Sequence, residues 1–276
     1  MFNQVIVVGT GKFAFLCAQI LRKECNYVKI FEHRANENIS ILEKLCKKNN
    51  IEYQLIRQDN LYKYLLNLVG KCLIVSAFNT YIFDSRFFNI KNILIINYHP
   101  ALLPLHPGRN SEAWSIFEED SETGITWHVV EEQVDKGDII IQKKIRLDNS
   151  YTSLSLMIKQ NQLGIVALKE ICHNLLSENF ATIKQESKVV KYHKSFEIPN
   201  KGYINIDWNQ EKIYAFLRAM DYGKLNLLGY PKIVINNEVY TWKSYEYIED
   251  DNKIKLACND FLISKNIVLR NRKKYI

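Results

Sequence analysis

Residues 4–32 read Q-V-I-V-V-G-T-G-K-F-A-F-L-C-A-Q-I-L-R-K-E-C-N-Y-V-K-I-F-E. The β-rich run Gln4 to Val8 is followed by Phe13, Leu16, Ile20 and Leu21 at helical spacing, and then by a second β-rich run, Tyr27 to Phe31. This is a βαβ unit, and the alternation continues outward from it. Ile39, Leu42 and Cys46 mark a second helical face, and Glu52 to Ile56, Cys72 to Ala77 and Ile93 to Asn97 read as further strands. The first half therefore predicts an α/β fold, a Rossmann-like open sheet with crossover helices.

Beyond Asn97 the chain enters a proline-rich loop, Pro100 to Pro107, then a short helical stretch, Ser111 to Glu118, and two strand-like runs, Ile125 to Val130 and Asp138 to Lys143. Leu154, Met157, Ile158, Ile165, Leu168 and Cys172 form one face of a long helix with Ser153 as its expected cap. Composition changes near Pro199, Asn200 and Gly202. We place a domain boundary there, giving a larger domain over 1–198 and a small helix plus β-rich C-terminal domain over 199–276. In the second, Ile213, Phe216, Leu217 and Met220 make a helical face ended at Tyr222-Gly223. Lys232 to Ile235 and Glu238 to Trp242 read as strands joined at Asn236-Asn237, and Ile263 to Leu269 as another.

Of the 276 residues 47% are apolar and 24% charged, with 10 Gly and 5 Pro, a globular balance that excludes a disordered or fibrous chain. The first ten residues lack the pattern of a secretory signal, and no apolar stretch reaches membrane-spanning length. Six scattered cysteines without a C-x-x-C pair suit a reducing compartment. The expectation is a cytoplasmic protein without a membrane partner or a metal. Net charge is +7, and its one basic run, Arg270, Arg272, Lys273 and Lys274, reads as a solvated tail rather than a nucleic-acid contact.

Residues 93–108 read I-L-I-I-N-Y-H-P-A-L-L-P-L-H-P-G. An apolar strand ends at Asn97, and alternation along an extended chain sends Asn97 and His99 to the same side. Pro100 keeps His99 out of the helical region. Two polar groups are thus aimed together at the carboxyl end of a strand, where open α/β sheets bind ligands. Downstream, the loop Glu131 to Asp138 contains Gly137, whose freedom would let a sharp turn present Asp135 inward.

Two spaced blocks, N-x-H-P-x-L-L-P from Asn97 and G-x-T-x-H-x-V-x-x-x-V-D-x-G-D-I-I from Gly124, resemble the folate-dependent formyltransferases. That family includes glycinamide ribonucleotide, methionyl-tRNA and amino-sugar N-formyltransferases, with a deformylase branch. The resemblance runs from about Val5 to Ile171. It implies the formyltransferase fold, N10-formyltetrahydrofolate as donor and a catalytic trio of Asn97, His99 and Asp135. The chemistry supports each residue type. An Asn amide N–H can bind the oxygen that becomes an oxyanion, His carries protons near neutral pH, and Asp can orient or charge-stabilise it.

The resemblance further places the folate against two loops, Phe78, Asn79, Thr80 and Ile82 in one and Val130, Glu131, Glu132 and Asp135 in the other. His128 matches a family histidine, with a supporting role, and His106 is expected to serve the loop. In the purine branch a glycine turn after the first strand helps hold substrate phosphate, which makes Gly9, Gly11 and Lys12 candidate substrate contacts at a helix N-terminus. The same turn, G-x-G-x-x-A with Glu32 ending the next strand, imitates a dinucleotide fingerprint. Packing alone is the third reading of it.

Gly108, Arg109 and Asn110 depart from the aromatic-Arg-Gly or aromatic-Lys-Gly that follows the family's L-L-P, so acceptor specificity is expected to show there. Ile206-Asp207-Trp208 and Arg218-Ala219 resemble the C-terminal region of the methionyl-tRNA and amino-sugar branches. The final segment is short for a transfer-RNA reader. The resemblance therefore implies a nucleotide-linked amino sugar, for instance a 4-amino-4,6-dideoxy hexose, and a possible homodimer. Formylation of an amino acid, a carrier-bound aminoacyl group or methionyl-tRNA is the alternative. Formyltetrahydrofolate hydrolysis and a dinucleotide-binding module rank below it.

Overall fold

The computed structural model describes residues 1–34, 38–57, 59–186, 190–235, 237–241, 245–248, 253–256, 261–264 and 267–270. Its strands β1 (Gln4–Gly9), β2 (Val28–Glu32), β3 (Glu52–Leu55), β4 (Cys72–Ala77), β5 (Ile93–His99), β6 (Glu122–Val129) and β7 (Ile139–Arg146) form one sheet in the order β3-β2-β1-β4-β5-β6-β7. The first five run parallel, and β6 pairs with β5 antiparallel. The expected Rossmann-like α/β sheet is thus the observed one.

Parallel strands need crossovers, and these cover both faces of the sheet. Helices α1 (Gly11–Leu21), α2 (Ile41–Lys48), α3 (Asn60–Leu66) and α4 (Ser85–Phe88) precede β2, β3, β4 and β5 respectively, and α5 (Ser111–Phe117) precedes β6. On one face Val5, Val7, Ile30, Leu73 and Val75 pack with Phe13, Cys17 and Leu21 of α1 and with Leu168, Cys172 and Leu175 of α6 (Ser153–Leu176). On the other, Ile6, Val8, Phe31 and Ile74 pack with Leu61, Leu65 and Phe87. The period-two split of one strand between two cores explains why β1 is apolar from Val5 to Val8.

Contacts divide the chain into two compact units. One comprises Met1–Pro107, Gly124–Lys144 and Gln160–Lys191, and the other Gly108–Thr123, Ile145–Lys159 and Tyr192–Ile276. The last segment of the second unit starts at Tyr192, ahead of the expected 198/199 boundary, and the unit adds two earlier segments. Its core is built on α7 (Gln210–Met220), whose Ile213, Phe216, Leu217 and Met220 bury against Ile204 and Ile233. The hairpin β8 (Lys232–Ile235) and β9 (Glu238–Thr241) follows, then β10 (Glu246–Ile248), β11 (Lys253–Leu256), β12 (Phe261–Ser264) and β13 (Ile267–Arg270) as an antiparallel meander.

Two local expectations are corrected. The run Ile263 to Leu269 is two antiparallel strands, β12 and β13, instead of one. Ser153 does not cap α6, because its hydroxyl donates to the Ala219 carbonyl at 2.6 Å; Thr152 takes the cap, its Oγ1 accepting from the Ser155 amide at 3.3 Å. Helices α3 and α4 are short and not marked by the sequence periodicity. Asn236, Trp242, Cys258, Arg272, Lys273 and Lys274 lie outside the described residues. The other five cysteines are buried free thiols. Among the described residues no helix is long and apolar enough to cross a membrane.

Candidate active site

Strand register builds the site. Ser76 of β4 pairs with Asn97 of β5, and Asn97 pairs with His128 of β6, so three polar residues lie in one row across three strands. Tyr98, between Asn97 and His99, points to the opposite face and packs its ring 4.4 Å from Phe13 and 5.4 Å from Trp127. That anchoring turns both of its neighbours to the same side, as alternation predicts. The proline-rich loop after β5 is pinned as well. Gln160 Nε2 donates to the Pro100 carbonyl at 2.6 Å, and Thr126 Oγ1 donates to Ala101 and accepts from the Leu103 amide.

His99 is buried, and its Nε2 lies 2.9 Å from the His106 carbonyl. A carbonyl can only accept, so Nε2 carries a proton and Nδ1 of the neutral ring is a lone pair. That lone pair faces Asp135 Oδ2 at 3.6 Å. Burial pushes the His99 pKa down, against the opposing pull of the Asp135 carboxylate. His106, expected to serve the loop, does so through its carbonyl, which fixes the tautomer of His99.

Asp135 is also buried, and its Oδ1 is 3.5 Å from His128 Nε2. It is Asp135 itself that adopts the left-handed conformation, at φ 57°, and Gly137 does not. Gly137 is needed for a different reason: a Cβ there would run into the Val129 carbonyl. Gln185 holds the turn from outside, its Nε2 donating to the carbonyls of Asp135 at 2.9 Å and Gly137 at 2.7 Å. No local signal in the sequence marked Gln185, which is far along the chain.

The structure thus brings Asn97, His99 and Asp135 together and adds Ser76 and His128. Beside them, the loop after β4 exposes the side chains of Phe78 and Ile82, and the loop before β7 exposes Glu131, Glu132 and Val134, with Val130 half-buried. Phe78 is held at φ 56°, its carbonyl accepting from Thr10 Oγ1 at 2.9 Å, and Thr80 Oγ1 meets His33 Nδ1 at 3.1 Å. Exposed apolar side chains beside a polar cluster suit a flat, partly apolar ligand ring.

Gly9, Gly11 and Lys12 lie at the carboxyl end of β1 and the start of α1. Gly9 has a packing reason, since a Cβ would collide with the Ala77 carbonyl. Gly11 sits at φ 64° and Lys12 is exposed. Glu32, the candidate ribose acid, is enclosed: its Oε2 accepts from Ser40 Oγ and Tyr53 OH, each at 2.6 Å, and meets Arg34 Nε at 3.2 Å. Gly108, Arg109 and Asn110 belong to the second unit. There the Arg109 amide donates to the His193 carbonyl at 2.9 Å, and Gly108 at φ 100° comes so close to that carbonyl that a Cβ would not fit.

Residues 12–172 match the family described as Formyl transferase, and the chain belongs to that family. It is 28% identical over 225 residues to a GDP-perosamine N-formyltransferase from Brucella melitensis biotype 1, covering 79% of this chain and 85% of the relative. It is 24% identical over 294 residues to a methionyl-tRNA formyltransferase from Fusobacterium nucleatum, covering 98% and 94%. Among solved structures, the fold matches an N-formyltransferase from Helicobacter canadensis, solved with folinic acid and dTDP-3-aminofucose. That match has a TM-score of 0.72 and 17% identity, and covers 96% of each chain.

Proposed function

We propose that this protein moves a formyl group from N10-formyltetrahydrofolate to the amine of a nucleotide-linked amino sugar, with Asn97, His99 and Asp135 as its catalytic residues. The observation that carries the reading is the cluster itself, an amide, an imidazole and a carboxylate converging at the carboxyl end of β5 in a chain of the Formyl transferase family. The folate, when bound, supplies the formyl carbon. Phe78, Asn79, Thr80 and Ile82 on one side, and Val130, Glu131, Glu132 and Asp135 on the other, would hold it.

Asn97 donates an N–H to the formyl oxygen as negative charge develops there. His99 Nδ1 and Asp135 Oδ2 are two acceptors facing one another, so a proton leaving the attacking amine would have a seat between them and would pass from it to the folate nitrogen as that nitrogen's bond to the formyl carbon breaks. Burial lowers the His99 pKa and so favours the neutral ring, whose Nδ1 can receive it. Gly9, Gly11, Lys12, Gly108, Arg109 and Asn110 are the proposed acceptor contacts. We take 1–198 as the catalytic domain and 199–276 as an appendage, in a cytoplasmic protein that pairs as a homodimer.

The Brucella relative favours a nucleotide-linked sugar, and the Fusobacterium one favours methionyl-tRNA as the second reading. The deciding experiment offers N10-formyltetrahydrofolate with GDP- and dTDP-linked 3-amino and 4-amino sugars, methionyl-tRNA and free amino acids. It reads the mass gain of one formyl group. Gain on an amino sugar is expected. Gain on methionyl-tRNA alone overturns the acceptor, and donor hydrolysis without any gain makes water the acceptor.

A further inference from the structure

An amide can bind an oxyanion only if its NH2, not its oxygen, faces the ligand, and a free Asn side chain takes either orientation at little cost. In this protein the choice is imposed by a chain of hydrogen bonds with a backbone group at each end. At the first end, Asn79 Oδ1 accepts from the Tyr81 amide at 2.8 Å and Asn79 Nδ2 donates to the Tyr81 carbonyl at 2.9 Å. A backbone N–H can only donate and a carbonyl can only accept, so the Asn79 amide cannot be turned over. Asn79 Nδ2 then also donates to Ser76 Oγ at 3.3 Å, which leaves the Ser76 hydroxyl proton for Asn97 Oδ1 at 2.7 Å.

At the second end, His128 Nδ1 lies 2.7 Å from the Val129 carbonyl and must carry a proton. With the proton on Nδ1, Nε2 can accept, and the Asn97 Nδ2 set by the first end donates to it at 3.1 Å. Both ends give the same answer: the Asn97 oxygen faces Ser76 and its NH2 faces His128. One N–H is consumed by His128. The other has no protein partner among the described residues and is the donor left for a ligand.

We propose that Ser76 is a positioning residue that fixes the orientation of the Asn97 amide and, through Asn79, ties it to the loop after β4; as a statement about turnover it rests on the formyl-transfer reading above. Ser76 is buried at 3% exposure, in register with Asn97 on the neighbouring strand, and its hydroxyl links the amides of Asn79 and Asn97. Without it the Asn97 oxygen loses its donor, the amide populates the reversed orientation, and the oxyanion meets an acceptor.

The test compares wild type with Ser76→Ala and Ser76→Thr on the acceptor identified by the panel above. Ser76→Ala lowers kcat about tenfold, as a misaimed oxyanion donor should, with both KM values and the melting temperature near those of wild type. Ser76→Thr restores the hydroxyl and most of the rate. Unchanged kcat in Ser76→Ala, or an equal loss in a folded Ser76→Thr, overturns the role. Ser76→Cys, nearly isosteric and a much weaker donor, replaces Ser76→Ala if that variant does not fold. A second measurement needs no acceptor. The Asn97 side-chain NH2 signals in 15N–1H spectra, assigned by their loss in Asn97→Ala, shift or broaden in Ser76→Ala and return in Ser76→Thr. Unmoved signals overturn the positioning role even if formyl transfer is established, and a wild type that formylates nothing counts against the functional reading alone.

Discussion

Each of the two units contains a knot of buried polar groups, and they are finished differently. In the second unit Glu112 accepts from Tyr222 OH at 2.7 Å. Nearby on α7, Arg218 donates to the carbonyls of Tyr151 at 3.0 Å and Asp148 at 3.4 Å and to Asn149 Oδ1 at 3.0 Å, and it stacks over Tyr214. Both terminal nitrogens of Arg218 meet acceptors there, its buried Nε has no hydrogen-bond partner among the described residues, and the groups tie helices and a loop to one another. In the first unit His99 Nδ1 and Asp135 Oδ2 are acceptor against acceptor, and an Asn97 N–H is left over. Donor-to-acceptor pairs hold a fold, whereas two acceptors facing one another are satisfied only when a proton arrives between them.

The largest effect expected from this contrast is on turnover in the first unit. His99→Asn or Asp135→Asn should lower kcat about a thousandfold or more, because each removes half of the proton seat, while the melting temperature stays within a few degrees. Wild-type-like turnover in either variant would break the comparison. The pH profile sharpens it. A base with a depressed pKa stays unprotonated to lower pH, so the acid limb of kcat/KM should lie below about 6.5, the ordinary histidine value. In the residual activity of Asp135→Asn the limb should move lower still, since the carboxylate that supports the charged ring is gone. A limb above 6.5 in wild type contradicts the assignment of burial as the larger influence.

What could be read in advance followed from periodicity and local spacing. Asn97 and His99 were legible because alternation needs only their own strand. The central strands were legible because Val5 to Val8 of β1 and Cys72 to Val75 of β4 are unbroken apolar runs. Ser76 and Gln185 were not, because their partners lie 21 and about 50 residues away and depend on strand register and on the return of the chain after α6. Gly137 was assigned the wrong reason for the same cause. Its need for a bare Cα comes from the Val129 carbonyl opposite, which only the folded turn supplies. The short helices α3 and α4 escaped notice because aromatic side chains, Tyr62, Tyr64, Phe87 and Phe88, blur their faces.

An intermediate effect is expected on stability in the second unit. Arg218→Ala strands the carbonyls of residues 148 and 151 and should cost about 3 kcal/mol in urea unfolding, the size of losing several bonds to a buried charged donor. Turnover measured well below the melting temperature should remain within a few-fold of wild type. A stable Arg218→Ala protein that had lost kcat would place Arg218 with the chemical knot and dissolve the distinction between the two.

The smallest effect is at Glu112, and its sign is fixed by burial. Burial raises the Glu112 pKa and outweighs the hydrogen bond from Tyr222, so the folded protein holds the carboxyl proton more tightly than the unfolded chain does. A group with a raised folded pKa contributes stability that is fully present below the unfolded value, about 4.3, and is lost as pH rises through the folded value. Glu112→Gln keeps an oxygen for Tyr222 but cannot ionise, so it does not suffer that loss. Thermal unfolding should therefore show Glu112→Gln melting a few degrees above wild type at pH 8 to 9, an effect of about 1 kcal/mol, with the gap narrowing toward pH 5. A Glu112→Gln variant less stable than wild type at pH 9 would mean that the ionised carboxylate is favoured in the fold. Glu112 would then join Asp135 as a charge held in place for a ligand, and the second unit would no longer be the purely structural member of the pair.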